Sequence, residues 1–145
     1  MMAFNFRLQK LLDIRCDKEE ESKRIFKKSQ EEKIKVENRL EELKKNYNKY
    51  SKIDFNCSGL QRKIRLNYSN ALALNINDTS VELENKIRVL EQKREELKQR
   101  QIERKTVEIL KDKQQQAYIK EQKLIEQKNN DEFALYGFIR NLKNK

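Results

Sequence analysis

The chain contains almost none of the residues that reverse a polypeptide backbone. Proline is absent, and glycine occurs only at Gly59 and Gly137 among 145 residues. A compact domain of this size needs several chain reversals, and reversals depend heavily on Gly and Pro. Long uninterrupted helices are therefore the structure that this sequence forms most easily.

Composition alone leaves two possibilities, long helix or disorder. Charged residues make up 40% of the chain and hydrophobic residues 36%, a balance that also occurs in unfolded proteins. The heptad spacing of the apolar residues favours helix, because a disordered chain requires no periodicity. Favourable i,i+4 pairs such as Glu19–Lys23 and Glu82–Lys86 agree, although each contributes only about 0.2–0.5 kcal/mol.

The N-terminal half carries one heptad register. Alternating steps of three and four residues place the apolar side chains on one stripe, and polar residues complete the stripe towards the N-terminus. The members are Leu8, Leu12, Arg15, Glu19, Ser22, Phe26, Ser29, Lys33, Val36, Leu40, Leu43, Tyr47 and Tyr50. This pattern predicts a helix that packs against a second helix along the stripe.

The C-terminal half carries two heptad phases. The first comprises Leu83, Ile87, Leu90, Arg94 and Leu97. The second comprises Val107, Leu110, Ala117, Leu124, Leu135, Phe138 and Leu142. The phases do not join in register near residues 101–106, which predicts a stammer that overwinds the supercoil locally.

Helix-start signals place the chain reversal in the middle of the sequence. Ser58 and Gln61 fit a capping box, and Thr79 with Glu82 forms a second candidate start. We expect one coiled-coil domain over residues 1–145, an all-α, two-helix antiparallel coiled-coil hairpin whose two ends meet. Its parts are helix 1 at about 4–53, a tip with a short helix at about 54–78, and helix 2 at about 79–142. An alternative merges the short helix into helix 2.

The residues that usually carry catalysis are scarce. Histidine is absent, which removes the commonest general base and metal ligand. Neither a glycine-rich phosphate loop nor a nucleophile elbow occurs. The carboxylate pairs, such as Asp131 with Glu132, are typical of solvated helix faces. We therefore expect no catalytic residue, no metal site and no cofactor.

Charge and hydropathy indicate the partners and the compartment. The net charge is +10, and division of the chain after residues 50 and 80 gives +4, +2 and +4. This even spread differs from the basic block of a nucleic-acid-binding zipper, so acidic protein surfaces are the expected partners and nucleic acid is not. The chain lacks an apolar run of transmembrane length and a signal sequence, which predicts a cytoplasmic protein. Cys16 and Cys57 are expected to remain unbridged thiols.

Both ends of the chain are richer in apolar groups than a two-stranded seam requires. Phe4 and Phe6 stand near the start, and the run Phe133–Ile139 holds three aromatic residues near the end. Two interpretations stay open. The apolar groups either cap the open end of the coil or form a plug that inserts into another protein.

Several short segments follow one another in a distinctive order over nearly the whole chain. They are Phe4-Asn-Phe6-Arg-Leu8-Gln-Lys-Leu11-Leu12-Asp-Ile-Arg15, Lys18-Glu-Glu-Glu21, Lys93-Arg-Glu-Glu-Leu97, Glu103-Arg-Lys105, Leu110-Lys-Asp-Lys113, Tyr118 and Glu126-Gln-Lys128-Asn-Asn-Asp131-Glu132-Phe-Ala134. In this order and spacing they resemble the flagellar FliJ family of export proteins. The related stalk proteins of virulence type III secretion systems are the alternative.

The resemblance implies a fold and a set of partners. FliJ-like proteins form an antiparallel coiled coil similar to the central stalk of rotary ATPases. They associate with the hexameric flagellar export ATPase, contact the cytoplasmic domain of the export gate, and handle export chaperones at the inner face of the cell membrane. A passive coiled-coil scaffold is the competing function.

The resemblance also implies two sets of site residues by position. The ATPase-facing end comprises Phe4, Phe6, Leu8, Leu11, Leu12, Arg15, Lys128, Asp131 and Glu132. The gate- or chaperone-facing part comprises Tyr47, Tyr50, Leu60 and Leu72.

Overall fold

Two long α-helices account for most of the protein. The computed structural model describes residues 3–52 and 56–144. Helix α1 spans Gln9–Tyr50 and helix α2 spans Gly59–Lys143. The helices pack against each other, which confirms the predicted all-α helical hairpin. Within these described ranges, neither helix holds a stretch apolar enough to cross a lipid bilayer.

The chain divides into two compact units. We call Lys18–Arg100 the turn unit, and Met1–Asp17 together with Gln101–Lys145 the terminal unit. Each unit is built from one segment of α1 and one segment of α2. The single domain predicted for residues 1–145 stays a prediction.

Contacts in the turn unit define an antiparallel register. The contacts, in order from the end of α1, are Tyr50 with Tyr68, Arg39 with Glu82, Glu32 with Lys86, and Phe26 with Arg94. The numbers rise on α2 as they fall on α1, so the segments run in opposite directions. Glu82 and Lys86, predicted to pair with each other, both reach across to α1, at 3.1 Å from Arg39 and 3.3 Å from Glu32.

The terminal unit has the same antiparallel direction. Arg15 Nη1 donates a hydrogen bond of 2.8 Å to the Glu103 carbonyl oxygen. Nearer the N-terminus, the ring of Phe4 lies 5.6 Å from the ring of Tyr118. The order of these contacts along the two segments is again reversed.

Burial along α1 confirms its predicted heptad register. Leu12, Val36 and Leu40 are buried, and the polar members of the stripe are buried or half-buried. Glu19 is buried, and its carboxylate lies 3.6 Å from Lys23 Nζ, as the i,i+4 spacing predicts. Leu8 and Tyr47, near the two ends of the stripe, are exposed.

Burial along α2 keeps one heptad phase, so the stammer predicted near residues 101–106 is wrong. The buried and half-buried members are Ser69, Leu72, Ile76, Thr79, Leu83, Lys86, Leu90, Lys93, Leu97, Arg100, Arg104, Val107, Lys111 and Tyr118. Ile87 and Leu110, which the sequence pattern assigned to the seam, are exposed. The pattern failed because Lys and Arg fill seam positions with their aliphatic stems while their charged ends reach water.

The predicted start of helix 2 near residue 79 is also wrong. Helix α2 begins at Gly59, so residues 59–78 belong to it and the merged alternative is the arrangement found. Thr79 is buried inside α2, and Ser80 Oγ donates to the Ile76 carbonyl oxygen at 2.7 Å. Packing of this stretch against α1 therefore outweighs its poor helix propensity, and the Ser80 hydroxyl bonds within the helix.

The other helix limits differ less from expectation. Helix α1 begins at Gln9, not near residue 4, and ends at Tyr50. Residues 53–55, which include the predicted end of helix 1 and the start of the tip, lie outside the described residues. The predicted capping box is confirmed: Ser58 N donates to Gln61 Oε1 at 3.2 Å, and Gln61 N donates to Ser58 Oγ at 3.3 Å.

Candidate functional surfaces

The apolar residues at the start of the chain divide into core and surface positions. Phe6, Leu12 and Val107 form a buried cluster, and Phe4 and Cys16 pack against it. Leu8 and Leu11 point elsewhere and are exposed. Phe6 and Leu12 therefore hold the terminal unit together, while Leu8 and Leu11 remain accessible to a partner.

Arg15 is committed to the same unit. Its side chain is half-buried and donates to the backbone oxygen of Glu103 across the helix pair. A charge-assisted hydrogen bond to a backbone oxygen is stronger than a neutral one. Arg15 thus helps to fix the register of α1 against α2.

The predicted meeting of the two chain ends is wrong. Phe4 lies beside Tyr118, and Phe138 is a further 20 residues along α2, about 30 Å at the helical rise per residue. Every described residue from 123 to 144 is exposed. The cause is the early start of α2, because its 85 residues outrun the 42 residues of α1. We call residues 123–143 the overhang.

One face of the overhang carries an apolar stripe. Its members follow steps of four and three residues, as on a coiled-coil helix, and all of them are exposed. They are Leu124, Lys128, Asp131, Leu135, Phe138 and Leu142. Phe133, Tyr136 and Ile139 flank the stripe and are exposed as well. The apolar members of the stripe belong to the second heptad phase read from the sequence, and nothing within the described residues covers them.

A cavity of about 420 Å³ lies in the turn unit, where α1 ends and α2 begins. We call it the turn cavity. Its lining includes Tyr47, Tyr50, Lys52, Cys57, Arg62, Arg65 and Ser69. Tyr50 packs edge-on against Tyr68, with ring centroids 5.0 Å apart and an interplanar angle of 87°. Arg65 Nη1 lies 3.6 Å from Cys57 Sγ, so one side chain links the turn to α2.

The family of the protein follows from comparison with known proteins. Residues 4–143 match the family model described as Flagellar FliJ protein. The chain belongs to the FliJ family. As a FliJ family member it is a component of the flagellar protein export system, and the family is not known for enzymatic activity. No curated protein and no solved structure matches the chain.

The structure separates the residues that the FliJ resemblance assigned to the ATPase-facing end. It groups Phe4, Phe6, Leu8, Leu11, Leu12 and Arg15 beside the stretch of α2 that ends near Tyr118. It places Lys128, Asp131 and Glu132 in the exposed overhang, beyond that group. Their joint role in ATPase contact stays a prediction.

The residues predicted to face the gate or chaperones also differ in their exposure. Tyr47 and Leu60 are exposed, the latter at 71%, and Tyr50 is half-buried at the turn cavity. Leu72 is only 4% exposed and belongs to the seam of α2. The role of these four residues in contact with the gate or chaperones stays a prediction.

The positive charge of this FliJ family chain is concentrated in one segment, which the count of charges in three parts, divided after residues 50 and 80, does not reveal. Residues 43–77 contain seven Lys and Arg residues and a single acidic residue, Asp54. The boundary at residue 50 cut this segment in two and concealed it. The hairpin brings its two arms together, since Tyr50 packs on Tyr68. The turn is therefore the most basic part of the turn unit.

Metal-binding groups are a separate question. Among residues 3–52 and 56–144, no cluster of Cys, Asp or Glu has the arrangement of a metal site. The seam residues that the apolar pattern missed are cations. Lys86, Lys93 and Arg100 sit at seam positions, and only the continued heptad count from Ser69 could have found them.

Proposed function

We propose that this FliJ family protein is the stalk-like activator of the hexameric flagellar export ATPase, and that the overhang is the segment that contacts the hexamer. The observation that carries the proposal is the exposed heptad stripe from Leu124 to Leu142. Such spacing in a helix is the signature of packing against another helix or groove. Within the described chain α1 does not reach it.

Burial of the stripe supplies the driving force for the contact. Apolar surface removed from water contributes about 25 cal/mol per Å². Phe138 is 61% exposed, and Leu135 and Leu142 are exposed to a similar degree. Lys128 and Asp131 interrupt the stripe with one charge of each sign, which favours a partner that offers both apolar and charged groups.

A second feature of the terminal unit supports the same surface. A cavity of about 550 Å³ adjoins Phe4 and Tyr118 at the root of the overhang. Ala3, Ile119, Gln122, Lys123 and Glu126 complete its lining. A partner that binds the overhang can extend into this cavity.

The mechanism of activation rests on symmetry. One chain inside a sixfold ring cannot contact all six subunits alike, so its contacts favour one subunit interface over the others. A difference in contact free energy between subunit states shifts their populations and couples nucleotide state to the position of the chain. The chain itself supplies no catalytic group to the reaction.

The turn unit takes the second role in this proposal. Tyr47, Tyr50 and Leu60 offer accessible aromatic and aliphatic surface to the export gate or to export chaperones. Attachment to the gate would hold the protein at the cytoplasmic face of the membrane.

The test is phosphate release by the export ATPase, measured over a range of enzyme concentrations. A protein that binds the hexamer better than the monomer favours assembly by mass action, so stimulation should be greatest at low enzyme concentration. The variant L135A/F138A/L142A should lose stimulation. The matched control L60A/I64A/L66A removes three equally exposed apolar side chains from the turn unit and should keep it.

Two outcomes would overturn the proposal. If the wild-type protein leaves the rate unchanged at every concentration, the activator role fails and a passive scaffold takes its place. If the control variant loses stimulation and the overhang variant keeps it, the ATPase contact lies in the turn unit. Circular dichroism of each variant should first show that the helices are retained.

A further inference from the structure

The turn cavity is lined by positively charged side chains. Lys52, Arg62 and Arg65 line it, and Lys49 stands beside it with Nζ 5.3 Å from the ring centroid of Tyr50. Over residues 43–77 only Asp54 carries a negative charge. A concave site under such an excess of cations raises the local concentration of anionic groups.

One buried polar group at this cavity lacks a partner. Ser69 is 6% exposed and lines the cavity, and its hydroxyl has no hydrogen-bond partner within the described structure. A buried hydroxyl without a partner is costly, and native structures rarely keep one without a reason. A carboxylate that entered the cavity and displaced its wall slightly would give this hydroxyl an acceptor.

The tyrosines at the cavity indicate whether a carboxylate or a nucleobase is the better ligand. Single-stranded nucleic acid binds basic surfaces by stacking its bases on open aromatic faces. The rings of Tyr50 and Tyr68 form a T-shaped pair 5.0 Å apart, and Lys49 and Arg65 lie 5.3 Å and 6.0 Å from the Tyr50 ring. These neighbours restrict access to the Tyr50 ring and leave Tyr47 as the exposed tyrosine of the lining. One open ring does not make a platform for successive bases, so the site suits a short acidic side chain better than a stacked strand.

We infer that the turn cavity binds an acidic segment of a partner protein, with Arg62, Arg65 and Lys52 holding its carboxylates. The inference extends the partner-facing role of the turn. It rests on the proposed function only for the identity of the protein that supplies the acidic segment. The binding chemistry is a property of the turn unit alone. Guanidinium groups are the appropriate donors, because their planar fork matches a carboxylate.

The first experiment uses fluorescein-labelled hexaglutamate as the acidic probe and hexaglutamine as its neutral counterpart. Fluorescence anisotropy with the full chain at low salt should show saturable binding of hexaglutamate and none of hexaglutamine. Saturating hexaglutamate should slow maleimide modification of Cys57, which lines the cavity, several-fold. It should leave Cys16, which packs against the Phe6 cluster of the terminal unit, unchanged.

Charge-matched variants separate a defined site from diffuse attraction. R62Q/R65Q should weaken hexaglutamate binding by about tenfold or more, the loss expected for charge-assisted hydrogen bonds. R88Q/K98Q removes the same charge from exposed positions elsewhere on α2 and should change the affinity by less than about twofold. K52Q alters only an exposed lining residue, so a weakening of about threefold there supports the site even if R62Q/R65Q disturbs the turn.

Three results would overturn the inference. They are absence of hexaglutamate binding at low salt, equal weakening by R62Q/R65Q and R88Q/K98Q, and binding without protection of Cys57. Tighter binding of an oligothymidylate that protects Cys57 would also overturn it, in favour of a nucleic-acid site. None of these readouts uses the ATPase, so failure of the cavity site and failure of the activator role are distinguishable.

Discussion

The ring of Phe4 packs against Tyr118 of α2, with ring centroids 5.6 Å apart and an interplanar angle of 44°. This contact fixes which residue of α2 lies beside Phe4. Residues of α2 beyond Gln122 are all exposed, and they include the aromatic run that the sequence placed beside the N-terminus. Helix α2 thus has a packed part, which includes Tyr118, and an exposed part beyond Gln122, the overhang.

The register predicts which cysteine pairs can be crosslinked. In a chain with Cys16 and Cys57 replaced by Ala, F4C/Y118C should join within one chain when treated with a short bifunctional maleimide. L8C/F138C should not, because about 30 Å of helix separates Tyr118 from Phe138. Peptide mapping of the monomeric product is the measurement. Efficient intrachain joining of L8C/F138C would contradict the register.

Two adjacent leucines should differ in their effect on stability. Leu12 is 8% exposed in the cluster with Phe6 and Val107, whereas Leu11 is 36% exposed. L12A should lower the free energy of unfolding by about 2–5 kcal/mol, the cost of a cavity in an apolar core. L11A should lower it by about 1 kcal/mol or less. Urea unfolding followed by circular dichroism makes the comparison, and equal effects would place Leu12 outside the core.

The capping box at the start of α2 predicts a local effect of Ser58. S58A removes the acceptor of the Gln61 amide and should cost about 0.5–2 kcal/mol of stability. S58D keeps an acceptor at the N-cap and should stay close to wild type. The hydrogen-exchange rates of the backbone amides near Gln61 measure the loss of the cap directly. A normal exchange rate in S58A would show that the cap contributes nothing.

The unpartnered hydroxyl of Ser69 predicts a stabilising substitution. S69A removes a buried polar group that has no partner in the described structure and should raise the free energy of unfolding by about 1 kcal/mol. S80A makes the same change in α2 but removes a bond to the Ile76 carbonyl oxygen, so it should gain less. A lower melting temperature for S69A than for S80A would mean that the Ser69 hydroxyl is satisfied in solution.

Much of the fold could be predicted from the sequence, because the heptad stripe of α1 is well defined. Its stripe contains enough Leu, Val and aromatic residues, such as Val36 and Leu40, to set the heptad phase, and the polar members follow by counting. The capping box at Ser58 is equally local, since both partners lie within one turn. Features that depend on a few neighbouring residues are predictable from those residues.

The errors concern α2, where polar residues alternate with apolar ones along much of the seam. Lys86, Lys93 and Arg100 take positions that a search for apolar residues passes over. The apolar pattern therefore favours Ile87 and Leu110, which are exposed. The false start near Thr79 came from helix propensity, which is a weak preference that tertiary packing overrides.

Those errors also affected the predicted positions of the candidate surfaces. Once α2 begins at Gly59, its end must pass the start of α1, and the predicted junction of Phe4 with the aromatic run is lost. The sequence still identified the run Phe133–Ile139 as more apolar than a seam requires. What it could not supply is the length of α2 that stays unpaired, because this depends on the interhelix register.

Site-specific photocrosslinking tests most directly that the overhang contacts the export ATPase. A photoreactive phenylalanine is placed at Phe138 in one variant and at Leu60 in another, two exposed positions in different units. After irradiation with the assembled ATPase, we expect a crosslinked product for the Phe138 variant, and no product above background for the Leu60 variant. A product from Leu60 with none from Phe138 would contradict it.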